Sequence, residues 1–299
     1  MKYLNTETKK RPEKKLTIQI LTLTALLSVL IFALSGAGCL GQNSADKTVV
    51  VSGSTSVLPP AQILSEEYMK KNSETIISVK GGGSGTGIAE LIDSTNDIAM
   101  SSRKIKDTEI SNAKAKGIDP VEYIIAKDGI SVVINPQNPI STLTLEQLQK
   151  IYSGEIRNWK DVGGIDAEIA VIARDSASGT QEFFNEAVMK DVSLRNDLIT
   201  QSATGAVTQE VSQNARAIGI IGAAYQNTNI KTLSIDAGTG AVMPTEENIL
   251  SETYPLSRAL YLYAPHNLKP EAAEFIEYVM STEGQRIIRE VGYAPIKNI

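Results

Sequence analysis

The chain has 299 residues, with 29 Lys and Arg against 34 Asp and Glu, a formal charge of −5, one cysteine and one histidine. This mildly acidic balance, without a basic patch interleaved with aromatics, argues against nucleic acid as a partner. A lone His and a lone Cys disfavour Ser-His hydrolysis, thiolate chemistry and transition-metal sites.

The first predicted element is an export segment over residues 1–38. A basic stretch (Lys9, Lys10, Arg11, Lys14, Lys15) precedes an apolar run from Leu16 to Leu34, and small residues Ser35 to Gly38 lead into Cys39. Basic, apolar and small-residue regions in that order read as a signal peptide. The run is also long enough for an uncleaved membrane-spanning anchor. Residues 39–47 are small and polar and suit a tether. About 250 residues remain, enough for two lobes or one large α/β domain.

Strand and helix signals then alternate. Thr48–Val51 reads as a strand, Pro59–Lys71 as a helix, Thr75–Lys80 as a strand, Ile88–Ser94 as a short helix and Asp97–Met100 as a strand. Asp128–Ile134 is predicted as a strand, and Thr144 caps a helix that runs to Tyr152. Further strands are expected over Ile169–Ala173, Ala217–Gly222 and Tyr261–Ala264. Helices are expected over Gln181–Met189, Pro270–Met280 and Thr282–Arg289. Such alternation favours a mostly parallel sheet covered by helices, with ligands beyond the carboxyl ends of its strands.

Three strand-to-helix turns there are rich in Ser, Thr and Gly: Gly53 to Ser56, Gly81 to Gly87, and Ser176 to Thr180, the last preceded by Arg174. A helix start carries N–H groups without intrahelical partners and the positive end of the dipole, so hydroxyls and glycines there suit an anion. Three such turns beside an arginine point to one shared oxyanion. The glycine loop lacks the Lys-Ser/Thr of a nucleotide P-loop, and no Gly-x-Ser-x-Gly elbow occurs. His266 reads as a solvated loop residue and Trp159 as packing.

The runs Gly53-Ser54-Thr55-Ser56-Val57-Leu58-Pro59, Gly81 to Gly87 and Asp97 to Arg103 resemble the phosphate-binding proteins of ABC importers. So do Leu145 to Gly154 with Asn158-Trp159, and Arg174 with Ser178-Gly179-Thr180. The resemblance implies an α/β, two-lobe periplasmic binding protein of type II with two hinge-crossing strands, near Ile125–Ile130 and Ser257–Tyr263. Lobe I would be 48–127 with 262–299, and lobe II 128–261. It implies phosphate held by Ser56, the Val57 amide, Ser84, Ser102, Arg174, Ser178, Gly179 and Thr180. Arg103 would be either a ligand contact or a brace across the cleft.

Cys39 sits in what resembles a lipoprotein cleavage site, with Gly36 where Leu is usual, and would become the lipidated residue. The implied protein is a monomeric receptor on the outer face of the membrane, with an ABC permease as partner and no catalytic residue, metal or cofactor. Some relatives have an Asp where this chain has Ser102, and that carboxylate takes the proton of monohydrogen phosphate. Ser102 moves this task to another acceptor, such as a backbone carbonyl or Asp175. A receptor for another tetrahedral oxyanion such as sulfate, or a secreted phosphoester hydrolase, are the alternatives.

Overall fold

The computed structural model describes residues 47–297. The expected export segment, Cys39 and all but the last residue of the tether lie outside the described residues.

The three anion-type turns each join a strand to a helix. β1 (Thr48–Gly53) leads to α1 (Leu58–Lys71), and β2 (Ile76–Gly81) to α2 (Ser84–Ile92). β3 (Ile98–Ser101) is followed by α3 (Asp107–Ala115), β4 (Pro120–Ile134), β5 (Thr142–Thr144) and α4 (Leu145–Ser153). β6 (Ala170–Arg174) leads through the third turn to α5 (Gly179–Phe184), which continues as a π turn over Asn185–Met189. Next come β7 (Ile199–Gln201), α6 (Thr204–Gln213), β8 (Ala217–Gly222), β9 (Lys231–Thr232), β10 (Ser234–Asp236) and β11 (Ala241–Val242). The chain closes with α7 (Glu246–Leu250), β12 (Ser257–Pro265), α8 (Pro270–Met280), α9 (Thr282–Glu290) and β13 (Ala294–Pro295).

One sheet runs in the order β2-β1-β3-β12-β4-β8-β6-β7. It is parallel at both ends, where β1 pairs with β2 and β3 and β6 pairs with β7 and β8. It is antiparallel in the middle, where β12 lies between β3 and β4 and β4 meets β8. The parallel expectation therefore holds for the ends and fails at the centre, because β4 and β12 pass between two cores in opposite directions.

Those cores define the two lobes. β1, β3, α1, α8 and α9 bury Val49, Val51, Leu64, Met100, Phe275 and Ile288 in the first. The second gathers Leu148, Tyr152, Trp159, Phe184, Ile218 and Ile220. β4 gives Ile125 and Ala126 to the first core and Ile130, Val132 and Ile134 to the second, so the crossing falls at Lys127-Asp128-Gly129. Beside it, β12 pairs from Ser257 opposite Gly129 to Pro265 opposite Pro120.

Several boundaries differ from the sequence expectation. β4 begins at Pro120 rather than Asp128, since its first half alternates exposed and half-buried residues and lacks a continuous apolar run. β12 begins at Ser257 rather than Tyr261, since the polar Ser257 and Arg258 interrupt the apolar run. α2 begins at Ser84, four residues before Ile88, although Gly85, Thr86 and Gly87 are weak helix formers. Packing overrides propensity: a Cβ on Gly87 would stand 2.6 Å from the Gly53 Cα. α4 has its expected cap, with Thr144 accepting from the Gln147 N–H and Gln147 reaching back to the Thr144 N–H. Trp159 is fully buried with its indole N–H on the Arg216 carbonyl, and His266 is exposed after β12.

Candidate anion-binding site

The parallel strands end on one cleft, and their turns meet there. Ser56, Ser84, Ser102, Ser178 and Thr180 are each at most 1% exposed. The Ser56 hydroxyl lies 3.1 Å from that of Thr180, joining the first turn to the third. Ser84 Oγ accepts the Ser102 N–H at 3.1 Å and stands 3.4 Å from Ser102 Oγ. Gly179 faces that pair so closely that a Cβ would fall 2.3 Å from Ser84 Oγ and 2.8 Å from Ser102 Oγ. At the rim the Gly85 N–H donates to the Ala177 carbonyl at 3.1 Å. Gly83 there has φ +99°, a conformation open to glycine, and its hydrogen takes space that a side chain could not share with Ala177.

The helix starts divide their amides between structure and site. Ser178 caps α5, its hydroxyl accepting the Gln181 N–H and its carbonyl the Glu182 N–H. The Gly179 and Thr180 amides, first in the helix, meet no acceptor among the described residues. The Val57 amide is a correction to the expected ligand set. It donates to the Ser54 carbonyl at 3.2 Å, since the turn closes on itself before α1 begins.

Arg174 ends β6, is 4% exposed and meets neutral oxygens only. Its Nε donates to the Gln201 carbonyl, Nη1 to Thr204 Oγ1, and Nη2 to Thr55 Oγ1 and the Ser202 carbonyl, at 3.0–3.1 Å. A guanidinium has five N–H donors, so one is left. Burial lowers its pKa to about 10, and the neighbouring charge of Arg258 pushes the same way, against Asp175. The Asp175 carboxylate lies beyond ion-pair distance and has one buried oxygen, Oδ1, without a partner. On this side Tyr225 donates to the Thr55 carbonyl at 2.6 Å, and burial raises its pKa to about 12, so it remains a donor.

Two residues that sequence reasoning missed complete the centre. Arg258 on β12 and Asp128 on β4 stand opposite each other in register, and both side chains are 1% exposed. Asp128 Oδ2 accepts from Arg258 Nε at 3.1 Å and Nη2 at 2.7 Å, and Oδ1 accepts the Ala223 N–H. The far side of the guanidinium reaches Thr180 Oγ1 at 2.9 Å, the Ser102 carbonyl at 3.3 Å and Ser56 Oγ at 3.4 Å. Arg258 thus touches turns from both lobes while sitting on a crossing strand. The available signal was a charged residue of each sign inside otherwise apolar stretches of the two expected crossings.

Of the two roles expected for Arg103, ligand contact or brace across the cleft, its surroundings favour the brace. Arg103 is 4% exposed like Arg174, yet its guanidinium is taken by carboxylates. Glu109 receives Nη1 at 2.8 Å and Nη2 at 2.6 Å, Lys104 O receives Nη1 at 2.9 Å, and Nε faces Glu182. Burial works against the Arg103 charge, but Glu109, Glu182 and Glu186 outweigh it and hold the pKa above its ordinary value. A cation so neutralised has little left for a ligand.

The contacting charges around the hydroxyls are therefore two guanidiniums, Arg174 and Arg258, and one carboxylate, Asp128. A small oxyanion offers what this arrangement lacks: one or two negative charges and several acceptors in tetrahedral reach. Among the described residues no cluster of three His, Cys, Asp or Glu is placed to hold a metal ion, and no helix is long and apolar enough to cross a membrane.

Known proteins are similar to this chain. A family model described as a PBP superfamily domain matches residues 41–283. The phosphate-binding protein PstS of Borreliella burgdorferi is 33% identical over 281 residues, covering 90% of this chain and 98% of that protein. PstS of Pseudomonas aeruginosa is 32% identical over 250 residues, 77% of each chain. A solved structure from Clostridium perfringens with bound phosphate is similar at a TM-score of 0.77 and 33% identity, covering 84% of this chain and 100% of that one.

Proposed function

Because this chain belongs to the PBP superfamily and, within it, to the phosphate-binding proteins of ABC importers, we propose that it captures inorganic phosphate in the interlobe cleft and delivers it to a membrane permease. One observation carries the ligand. The hydroxyls of Ser56 and Thr180 lie on the Arg258 guanidinium, Ser84 and Ser102 pair beside Gly179, and of the two buried guanidiniums, Arg174 and Arg258, only Arg258 has a carboxylate partner. Burying a cation without an anion costs several kcal/mol, and an arriving oxyanion offsets that cost.

In this reading Arg174 and Arg258 supply the charge, with hydroxyls from Ser56, Ser84, Ser102 and Thr180 and amides from Gly179 and Thr180. Ser178 acts through the helix it caps. Lobe I comprises 48–127 and 262–299, lobe II comprises 128–261, and the ligand draws them together. Export, attachment through Cys39 to the outer face of the membrane, and a monomeric state belong to the same proposal. The protein binds and releases its ligand unchanged, so it needs no catalytic residue.

Calorimetry on the full chain with phosphate and with sulfate tests this directly. Phosphate should bind, and Arg174→Ala should weaken that binding roughly 30-fold or more. Absence of phosphate binding to the unaltered chain sinks the proposal. A sulfate receptor is the second reading, favoured by one observation: Ser56, Ser84, Ser102 and Thr180 present hydroxyls, and a hydroxyl does not repel a fully ionised oxyanion as a buried carboxylate does. Tighter binding of sulfate than phosphate would select it.

A further inference from the structure

We propose that Arg103 and Glu182 form a clasp across the cleft that sets how long the closed receptor keeps its ligand, a positioning role separate from ligand contact. The inference rests on the phosphate-receptor reading above.

The two residues come from opposite cores. Arg103 follows β3 and Ser102, while Glu182 lies on α5, three residues after Gly179. One short helix therefore presents its first amides to the anion and, one turn later, a carboxylate to Arg103. Arg103 is held ready from its own side by the two-point pairing with Glu109. Glu109 is itself fixed, because its Oε2 accepts the Lys106 N–H at 2.9 Å and closes the start of α3. Lys106 reaches the same Glu182 carboxylate as Arg103 does. Two cations thus meet two carboxylates, in contrast to the unbalanced centre around Arg174 and Arg258.

Opening the cleft separates Glu182 from Arg103 and Lys106 and leaves Glu109 where it is. The interaction across the gap therefore exists only in the closed state. A contact present only there shifts the equilibrium toward closure and acts on escape rather than encounter. Glu182 is 19% exposed and Arg103 4% exposed, so the pair is shielded from solvent more than an ordinary surface ion pair.

The test uses the full chain and inorganic phosphate, with release followed by stopped flow after trapping and affinity by calorimetry. Glu182→Gln should speed release roughly tenfold and leave the association rate within about twofold. Glu182→Asp, which keeps the charge on a shorter arm, should fall between the two. The melting temperature of the ligand-free chain should not change in either variant, while the upward shift produced by phosphate should shrink. Unchanged release in Glu182→Gln would overturn the clasp, and so would a lowered ligand-free melting temperature, which marks a fold-stabilising role. If the unaltered chain binds no phosphate, the receptor reading fails, and the clasp with it. That outcome is separate from phosphate binding with unchanged release.

Discussion

Arg103 and Arg174 are equally buried, the former lying two residues past the end of β3 and the latter at the end of β6, and each is followed within a few residues by a helix. Their surroundings differ completely. Arg103 sits between two carboxylates, and Arg174 is ringed by hydroxyl and carbonyl oxygens. The difference teaches that burial alone does not identify a binding arginine. A guanidinium matched by carboxylates is a fastening, whereas one desolvated among neutral oxygens waits for an anion. That contrast separates the roles of two residues whose local motifs look alike in the sequence.

Removing Arg174 tests the contrast hardest. Arg174→Ala should cost about 2–5 kcal/mol of phosphate binding, roughly 30-fold or more in Kd by calorimetry. Arg103→Ala should cost less and act mainly through faster release. A larger affinity loss at Arg103 than at Arg174 would break the contrast and return Arg103 to the ligand set.

Asp128 sharpens it from the other direction. Asp128→Ala leaves Arg258 buried without its carboxylate, and the ligand-free chain should lose about 3–5 kcal/mol in denaturant unfolding. The site would then hold two unmatched cations, so phosphate should raise the melting temperature of this variant more than that of the unaltered chain. A smaller shift would mean that Asp128 serves the ligand rather than Arg258.

Gly179→Ala affects both regions at once. Its Cβ would enter the space of Ser84 Oγ, only 2.3 Å away, with Ser84 Cβ at 2.9 Å and Ser102 Oγ at 2.8 Å. Overpacking of this kind costs about 1–3 kcal/mol, here charged against the closed state alone. Phosphate affinity should fall roughly tenfold or more while ligand-free unfolding stays the same. Equal affinity would show that the lobes do not need this close approach.

How much of the site was legible follows from where its parts lie. Ser56, Ser84 and Ser178-Gly179-Thr180 are visible because helix starts and glycine turns have local signatures, and Arg174 is visible beside them. Arg258 and Asp128 are 130 positions apart and meet only because β4 and β12 pair antiparallel at the crossing. No local pattern encodes that register. Thr204 and Tyr225 reach Thr55 in the same way, from elements distant in sequence. The parallel ends of the sheet followed from apolar runs, whereas the starts of β4 and β12 did not, since polar positions such as Glu122 in one and Ser257-Arg258 in the other break the apolar pattern. The sequence left Arg103 open between ligand contact and brace, because the choice depends on Glu109 and on Glu182 arriving from the other core.

The smallest expected effect concerns the fastening alone. Burial raises the pKa of Glu109, but bonding to Arg103 and to the Lys106 amide outweighs it and holds the carboxyl below its ordinary value. A carboxyl with a depressed folded-state pKa stabilises the fold fully above its unfolded pKa, and loses that contribution as pH falls through the lowered value. Unaltered chain and Glu109→Gln should therefore differ by about 1 kcal/mol in unfolding free energy near neutral pH. The gap should narrow as the solution is acidified below the ordinary carboxylate range, about pH 4. Ligand-free chain is the sample of choice, because phosphate changes its own protonation as pH falls. Guanidinium groups stay charged throughout this interval, so Arg174 adds nothing to the difference and only the Arg103 side is read. A gap that persisted undiminished into strong acid would mean that Glu109 acts by packing rather than by charge, and Arg103 would then lose the partner that holds it ready for Glu182.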